Sequence, residues 1–96
     1  MKETKRSHPK YRLKLFVAGA TRRSTFAIQN VRQLCEGPLA GQYVLEIIDV
    51  YQQPGLARAE QIVATPTLVR HEPLPVRRFI GDLSNTARVM IGLGDQ

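Results

Sequence analysis

Arg12-Leu13-Lys14-Leu15-Phe16-Val17-Ala18 is the stretch from which the fold can be read. Leu13, Leu15 and Val17 fall on one side of an extended chain, and Arg12, Lys14 and Phe16 on the other. That period of two is the mark of a β-strand. Working forward, residues 19–23 read as a loop, and Ser24 is an N-cap candidate for a helix reaching about Glu36. Ala27, Val31, Leu34 and Cys35 recur at helical spacing and give that helix a buried face. Gly37-Pro38 stops it, with glycine suited to a left-handed cap and proline unable to continue. Residues 43–50 form a nearly continuous apolar run, broken by Glu46 and Asp49, which predicts a second strand covered on both faces. Strand, helix and strand together predict a right-handed βαβ unit with parallel strands.

Beyond the turn at Gln52-Gln53-Pro54-Gly55 the pattern is less regular. Residues 56–63 are predicted as a short helix burying Leu56, Ala59 and Val63, and residues 67–70 as a short strand. Glu72-Pro73-Leu74-Pro75 is a stiff connection to a strand over 76–80. Ser84 is placed as the cap of a last helix with Val89, Met90 and Leu93 as its apolar positions. The order βαβαββα is that of the thioredoxin fold, an α/β class. Thr65-Pro66-Thr67 then lies where that fold places a cis-proline, and a trans proline at a strand start is the alternative. Gln61-Ile62-Val63 and Val89-Met90-Ile91 carry β-branched residues inside predicted helices. Such conflict between local preference and global pattern permits two packings of similar free energy.

A chain of 96 residues fits one domain, assigned to 11–96, with a basic flexible tail over 1–10. Hydrophobic residues make up 43% and charged residues 23%, a globular and not a disordered balance. The net charge of +6 is concentrated early, where Lys2, Lys5, Arg6, Lys10, Arg12 and Lys14 face only Glu3. Such a balance suggests an acidic partner. A nucleic-acid-binding module is therefore one alternative reading, although no tryptophan and no stacking motif supports it. The apolar stretches are strand-length, well short of the about 20 residues a membrane span needs, so a cytoplasmic location is expected.

The thioredoxin order invites redox chemistry, which needs two thiols at the start of the first helix. That place reads Ala20-Thr21-Arg22-Arg23-Ser24-Thr25, and Cys35, the single cysteine, lies at the helix's other end as a small buried hydrophobe. A divergent oxidoreductase is thus the weakest alternative. The loop over 19–24 has glycine and two arginines but lacks a nucleotide-loop ending, and reads as a solvated turn. His8 and His71 have no partners at metal-ligand spacing and read as exposed bystanders. No metal, no cofactor and no enzymatic activity is expected.

Several stretches resemble the KaiB family. Leu13-Lys14-Leu15-Phe16-Val17-Ala18-Gly19, Ile48-Asp49-Val50, Ala64-Thr65-Pro66-Thr67-Leu68, Pro75-Val76-Arg77-Arg78 and Ile80-Gly81-Asp82-Leu83-Ser84-Asn85 carry the likeness. It extends from about Tyr11 to Leu93. The resemblance implies a non-enzymatic adaptor of circadian timing or stress adaptation that binds a hexameric KaiC-type ATPase. It also implies a metamorphic fold. A ground state of order βαββααβ forms dimers and tetramers, and a thioredoxin-like βαβαββα monomer binds KaiC. Mass action favours the oligomeric ground state at high concentration. By the same resemblance Lys14, Arg70, Arg77 and Arg78 are the KaiC-contacting set, and Tyr11, Pro66, Pro73, Pro75 and Gly92 bear on the fold switch and its proline isomers. Three departures set the chain apart. Leu74 replaces the middle proline of a Pro-Pro-Pro run, which bears on the switching rate. Glu46 replaces a lysine on a strand linked to KaiA, which argues against KaiA as a partner. The acidic C-terminal tail is missing. Together they point to a member outside the core cyanobacterial clock.

Overall fold

A computed structural model describes residues 9–94. The basic tail calls on Lys2, Lys5, Arg6 and His8 lie outside these residues. The element order is β1 (Tyr11–Val17), α1 (Arg22–Glu36), β2 (Tyr43–Asp49), α2 (Pro54–Ala59), β3 (Thr67–Glu72), β4 (Arg77–Ile80) and α3 (Thr86–Gly94). This is the thioredoxin-like βαβαββα arrangement, and not the βαββααβ order that the resemblance implies for a ground state.

The strands form one sheet in the order β2-β1-β3-β4. β1 runs parallel to β2, pairing Leu15 with Ile47, and antiparallel to β3, pairing Leu15 with Leu68. Helices α1 and α3 cover one face, where Leu13, Leu15 and Val17 meet Ala27, Val31, Leu34, Cys35, Leu68, Val89 and Leu93. On the other face Phe16, Ile48 and Val69 pack with Val50, Ala57 and Ile62 under α2. The alternation read in β1 thus feeds two cores, and its fully buried Leu15 and Phe16 each contribute about 2 kcal/mol of burial.

Three local expectations change. Thr21, not Ser24, caps α1, accepting the Ser24 N–H at 3.2 Å on Oγ1. Ser24 lies one turn deeper, buried, where its Oγ accepts the Ala18 N–H at 3.1 Å. Gly37 ends the helix with φ −102°, not in the left-handed region. Asn85, not Ser84, caps α3, its Oδ1 accepting the Arg88 N–H at 3.1 Å.

The short helix differs most. It starts two residues early because Pro54 takes the first helical turn, where its missing N–H costs nothing. Gln61, at φ 56°, turns the chain out of the helix. The buried face rotates accordingly, so Ala57 and Ile62 pack inward and Leu56 and Val63 are exposed. β2 is also not covered on both faces. It is an edge strand with Val44 and Glu46 exposed, because the six-residue α2 reaches only as far as Ile48 on that side.

Candidate functional site

The strand-helix loops carry the first test of chemistry. Asp49, which broke the apolar run of β2, accepts N–H groups from Gly19 at 3.2 Å and Tyr51 at 2.9 Å on Oδ1. An internal carboxylate therefore takes the Gly19 N–H that opens the Gly-led loop. Thr65-Pro66 is cis, and Glu72-Pro73 and Leu74-Pro75 are cis as well. Pro66 is buried at the start of β3, where Thr67 Oγ1 donates to the Ala64 carbonyl at 2.7 Å.

Where a thioredoxin needs its thiols, residues 20–25 supply none. Cys35 is buried in the main core at the far end of α1. Burial pushes its thiol from 9.0 up to about 11, with the Glu36 carboxylate adding to the shift and Arg32 opposing it. Because the folded chain holds this proton more tightly than the unfolded one, stability falls as pH rises from about 9 toward about 11. Replacing Cys35 by alanine is expected to flatten that alkaline decline in Tm relative to the parent. Parallel melts at about pH 8 and pH 10.5 measure it, and identical slopes would contradict the assignment.

The four predicted basic residues separate into two groups. Lys14 and Arg78 lie on the α2 face and converge on the end of that helix. Lys14 Nζ is 2.8 Å from Glu60 Oε2. The Arg78 guanidinium donates to the Gln61 carbonyl at 3.0 Å and to the Glu60 carbonyl. His71 is not an exposed bystander. It is partly buried, with Nε2 2.9 Å from Glu60 Oε1, an approach suited to an ion pair on protonation but without hydrogen-bond geometry. Glu60 thereby joins β1, α2 and β3, and its backbone joins β4. Sequence reading missed it because its partner Lys14 is 46 positions away.

Arg70 and Arg77 belong to the other face. Arg70 is fully buried. Its Nη1 donates to the Leu93 carbonyl and its Nη2 to the Pro75 carbonyl, both at 2.6 Å. α3 has no basic residue in its last turn, and Arg70 supplies from β3 the cation that a helix C-terminus favours. In this arrangement Arg70 is a staple out of a partner's reach. Arg77 is partly exposed and, by strand alternation, shares a side with Phe79.

The residues tied to fold balance are also placed. Tyr11 is buried at the start of β1, its N–H donating to the Gln42 carbonyl at 2.9 Å. Gly92 packs against the Phe79 ring, and a Cβ there would lie 2.8 Å from Phe79 Cζ. The signal for Gly92 was its position inside an apolar helix, which glycine otherwise weakens. Pro73 is partly buried and Pro75 exposed, flanking the exposed Leu74. Among the described residues there is no cluster of three or more candidate metal ligands, and no helix is long and apolar enough to cross a membrane.

The sheet order, the cis proline before β3 and the thiol-free first loop define a thioredoxin-like domain without the thioredoxin dithiol. Its backbone is similar to mitochondrial thioredoxin 3 of Saccharomyces cerevisiae, with TM-score 0.74 and 18% identity over 92% of this chain and 80% of that one. It is also similar to the N-terminal domain of Synechococcus elongatus SasA, with TM-score 0.72 and 26% identity over 95% of this chain and 87% of that one. Residues 14–94 match the KaiB domain. The chain is 52% identical to the circadian clock oscillator protein KaiB of Prochlorococcus marinus strain MIT 9313, over 86% of its length and 70% of the relative's. It is 47% identical to the circadian clock protein KaiB3 of Synechocystis, over 84% of its length and 79% of the relative's. The chain belongs to the KaiB family, a family of circadian clock proteins.

Proposed function

We propose that this chain is a non-enzymatic adaptor that binds a hexameric KaiC-type ATPase in its thioredoxin-like form and thereby regulates the ATPase cycle. The observation that carries the reading is the family match combined with a thioredoxin-like arrangement that lacks the dithiol. Binding, and not turnover, is what such a domain retains. Arg77 and Arg78 are the surface contacts of the proposal, with Lys14 on the same face as Arg78, since guanidinium groups suit carboxylates on a partner. Arg70 enters it only as the staple that holds α3. The β-branched Ile62 and Val63 and the glycine inside α3 support a second arrangement, in which the free protein is a dimer or tetramer and must convert before binding. Glu46, exposed on β2, speaks against KaiA as a partner. The cytoplasm is the proposed location.

Overnight incubation with the KaiC-type ATPase of the same genome and ATP, followed by size-exclusion chromatography with light scattering, tests this reading. A large complex that accumulates over hours is expected. Reversing both charges in Arg77→Glu/Arg78→Glu is expected to weaken it at least about tenfold, the scale of losing interfacial charge pairs. No complex after long incubation would overturn the proposal.

A further inference from the structure

The polar attachment of α2 is concentrated at its C-terminal end. The helix has six residues, none of them buried, and no side-chain cap at its start. It is too short to persist by itself, so it depends on what it touches. Its apolar anchorage is Ala57 and, just past the helix, Ile62, which pack on Phe16, Ile48 and Val69. The polar contacts meet at Glu60, whose side chain is only 16% exposed. Lys14 Nζ lies 2.8 Å from its Oε2, and His71 Nε2 lies 2.9 Å from its Oε1. The Arg78 guanidinium donates to the Glu60 and Gln61 carbonyls, where a helix end favours a cation. Gln61 then leaves at φ 56°, a left-handed conformation that is unfavourable for a residue with a side chain.

What lies beneath is apolar. Phe16, Ile48 and Val69 are fully buried, and Val50, Ala57 and Ile62 are their partly buried cover. Lifting α2 would uncover that part of the sheet face. It would also release Lys14 and the Arg78 guanidinium, two of the cations offered above to a partner, which the closed arrangement engages within the chain.

From this we infer that α2 is a strap latched through Glu60, which opens as a unit ahead of the rest of the fold and gates Lys14, Arg78 and the apolar face beneath it. Elements with little buried surface and a few polar ties form the low-stability end of a structure and open locally. The latch is a charged one, because the Glu60 carboxylate meets the Lys14 ammonium. The inference concerns the chain without a partner, so failure of the ATPase-binding reading leaves it intact.

Hydrogen exchange of the ¹⁵N-labelled full chain tests it. The probes are the Glu60, Gln61 and Ile62 amides, bonded to the Leu56, Arg58 and Ala57 carbonyls. They are expected to share one opening equilibrium, at least about a hundredfold more populated than that of the amides in β1 and β3. Glu60→Gln keeps the shape and loses the charge. It should raise that opening about tenfold, the difference between a charged and a neutral hydrogen bond, and leave β1 and β3 as slow as before. Lys14→Gln should act on the same amides, and the double variant should fall short of the product of the two effects. The proposal is overturned if the three amides open only with β1 and β3, if they open independently of one another, if Glu60→Gln leaves them unchanged, or if the two substitutions multiply in full.

Discussion

Arg70→Leu is expected to cost about 3 kcal/mol, the largest loss of any single substitution considered. Two charge-assisted hydrogen bonds disappear, to the Leu93 and Pro75 carbonyls, and each such bond is worth about 1.5–3 kcal/mol. The carbonyls left behind face leucine, which offers no donor. One of them ends α3 and the other belongs to the β3–β4 connection, so both elements lose their tie to the centre of the sheet. For a domain of this size the melting temperature should fall by roughly 15 °C. Arg70→Lys should recover part of the loss, because an ammonium keeps the charge but cannot span two carbonyls as a planar fork does. Thermal melts followed by circular dichroism measure the series. A Leu variant within about 1 kcal/mol of the parent would mean that the guanidinium is not what holds α3.

Gly92→Ala is the second. The added Cβ would lie 2.8 Å from Phe79 Cζ and closer still to the ring's Cε2. Alanine gains about 1 kcal/mol over glycine in a helix interior, and overpacking costs about 1–3 kcal/mol. The steric term is the larger because two atoms of the Phe79 ring, which packs partly buried against the main core, lie within 3 Å of the added Cβ and the ring has to move. A net loss of up to about 2 kcal/mol is expected for this arrangement. Phe79→Leu in the Gly92→Ala background removes the clashing ring and should restore much of it, while Phe79→Leu alone should destabilise. A double-mutant cycle reads the coupling directly. Additive effects would show that Gly92 is there for some reason other than the close approach of α3 to β4.

Legibility in the sequence followed the range of each interaction. The alternation of β1 and the helical spacing of α1 are local, and both elements appear where their patterns place them. Pro66 is cis as the strand order suggested. The short helix was read in the wrong rotation, since one proline and one left-handed glutamine moved its ends and turned its buried face. Arg70 was read as a surface cation because arginine is seldom fully buried. Nothing near it in the chain announces carbonyls 23 and 5 positions away. Glu60 was not singled out for the same reason.

Taken alone, the sequence determined the strand-helix-strand order of the first half, the two-sided character of β1, the absence of a thioredoxin dithiol and the family. These depend on residue type and on periods of two and 3.6, which neighbouring residues carry in full. Only the tertiary structure decided that β2 and β4 are the edges, that α2 leaves half of one sheet face uncovered, and that the basic residues divide between a buried staple and two surfaces. Each of those follows from which distant strands lie side by side, and strand order brings together groups whose separation along the chain leaves no local trace.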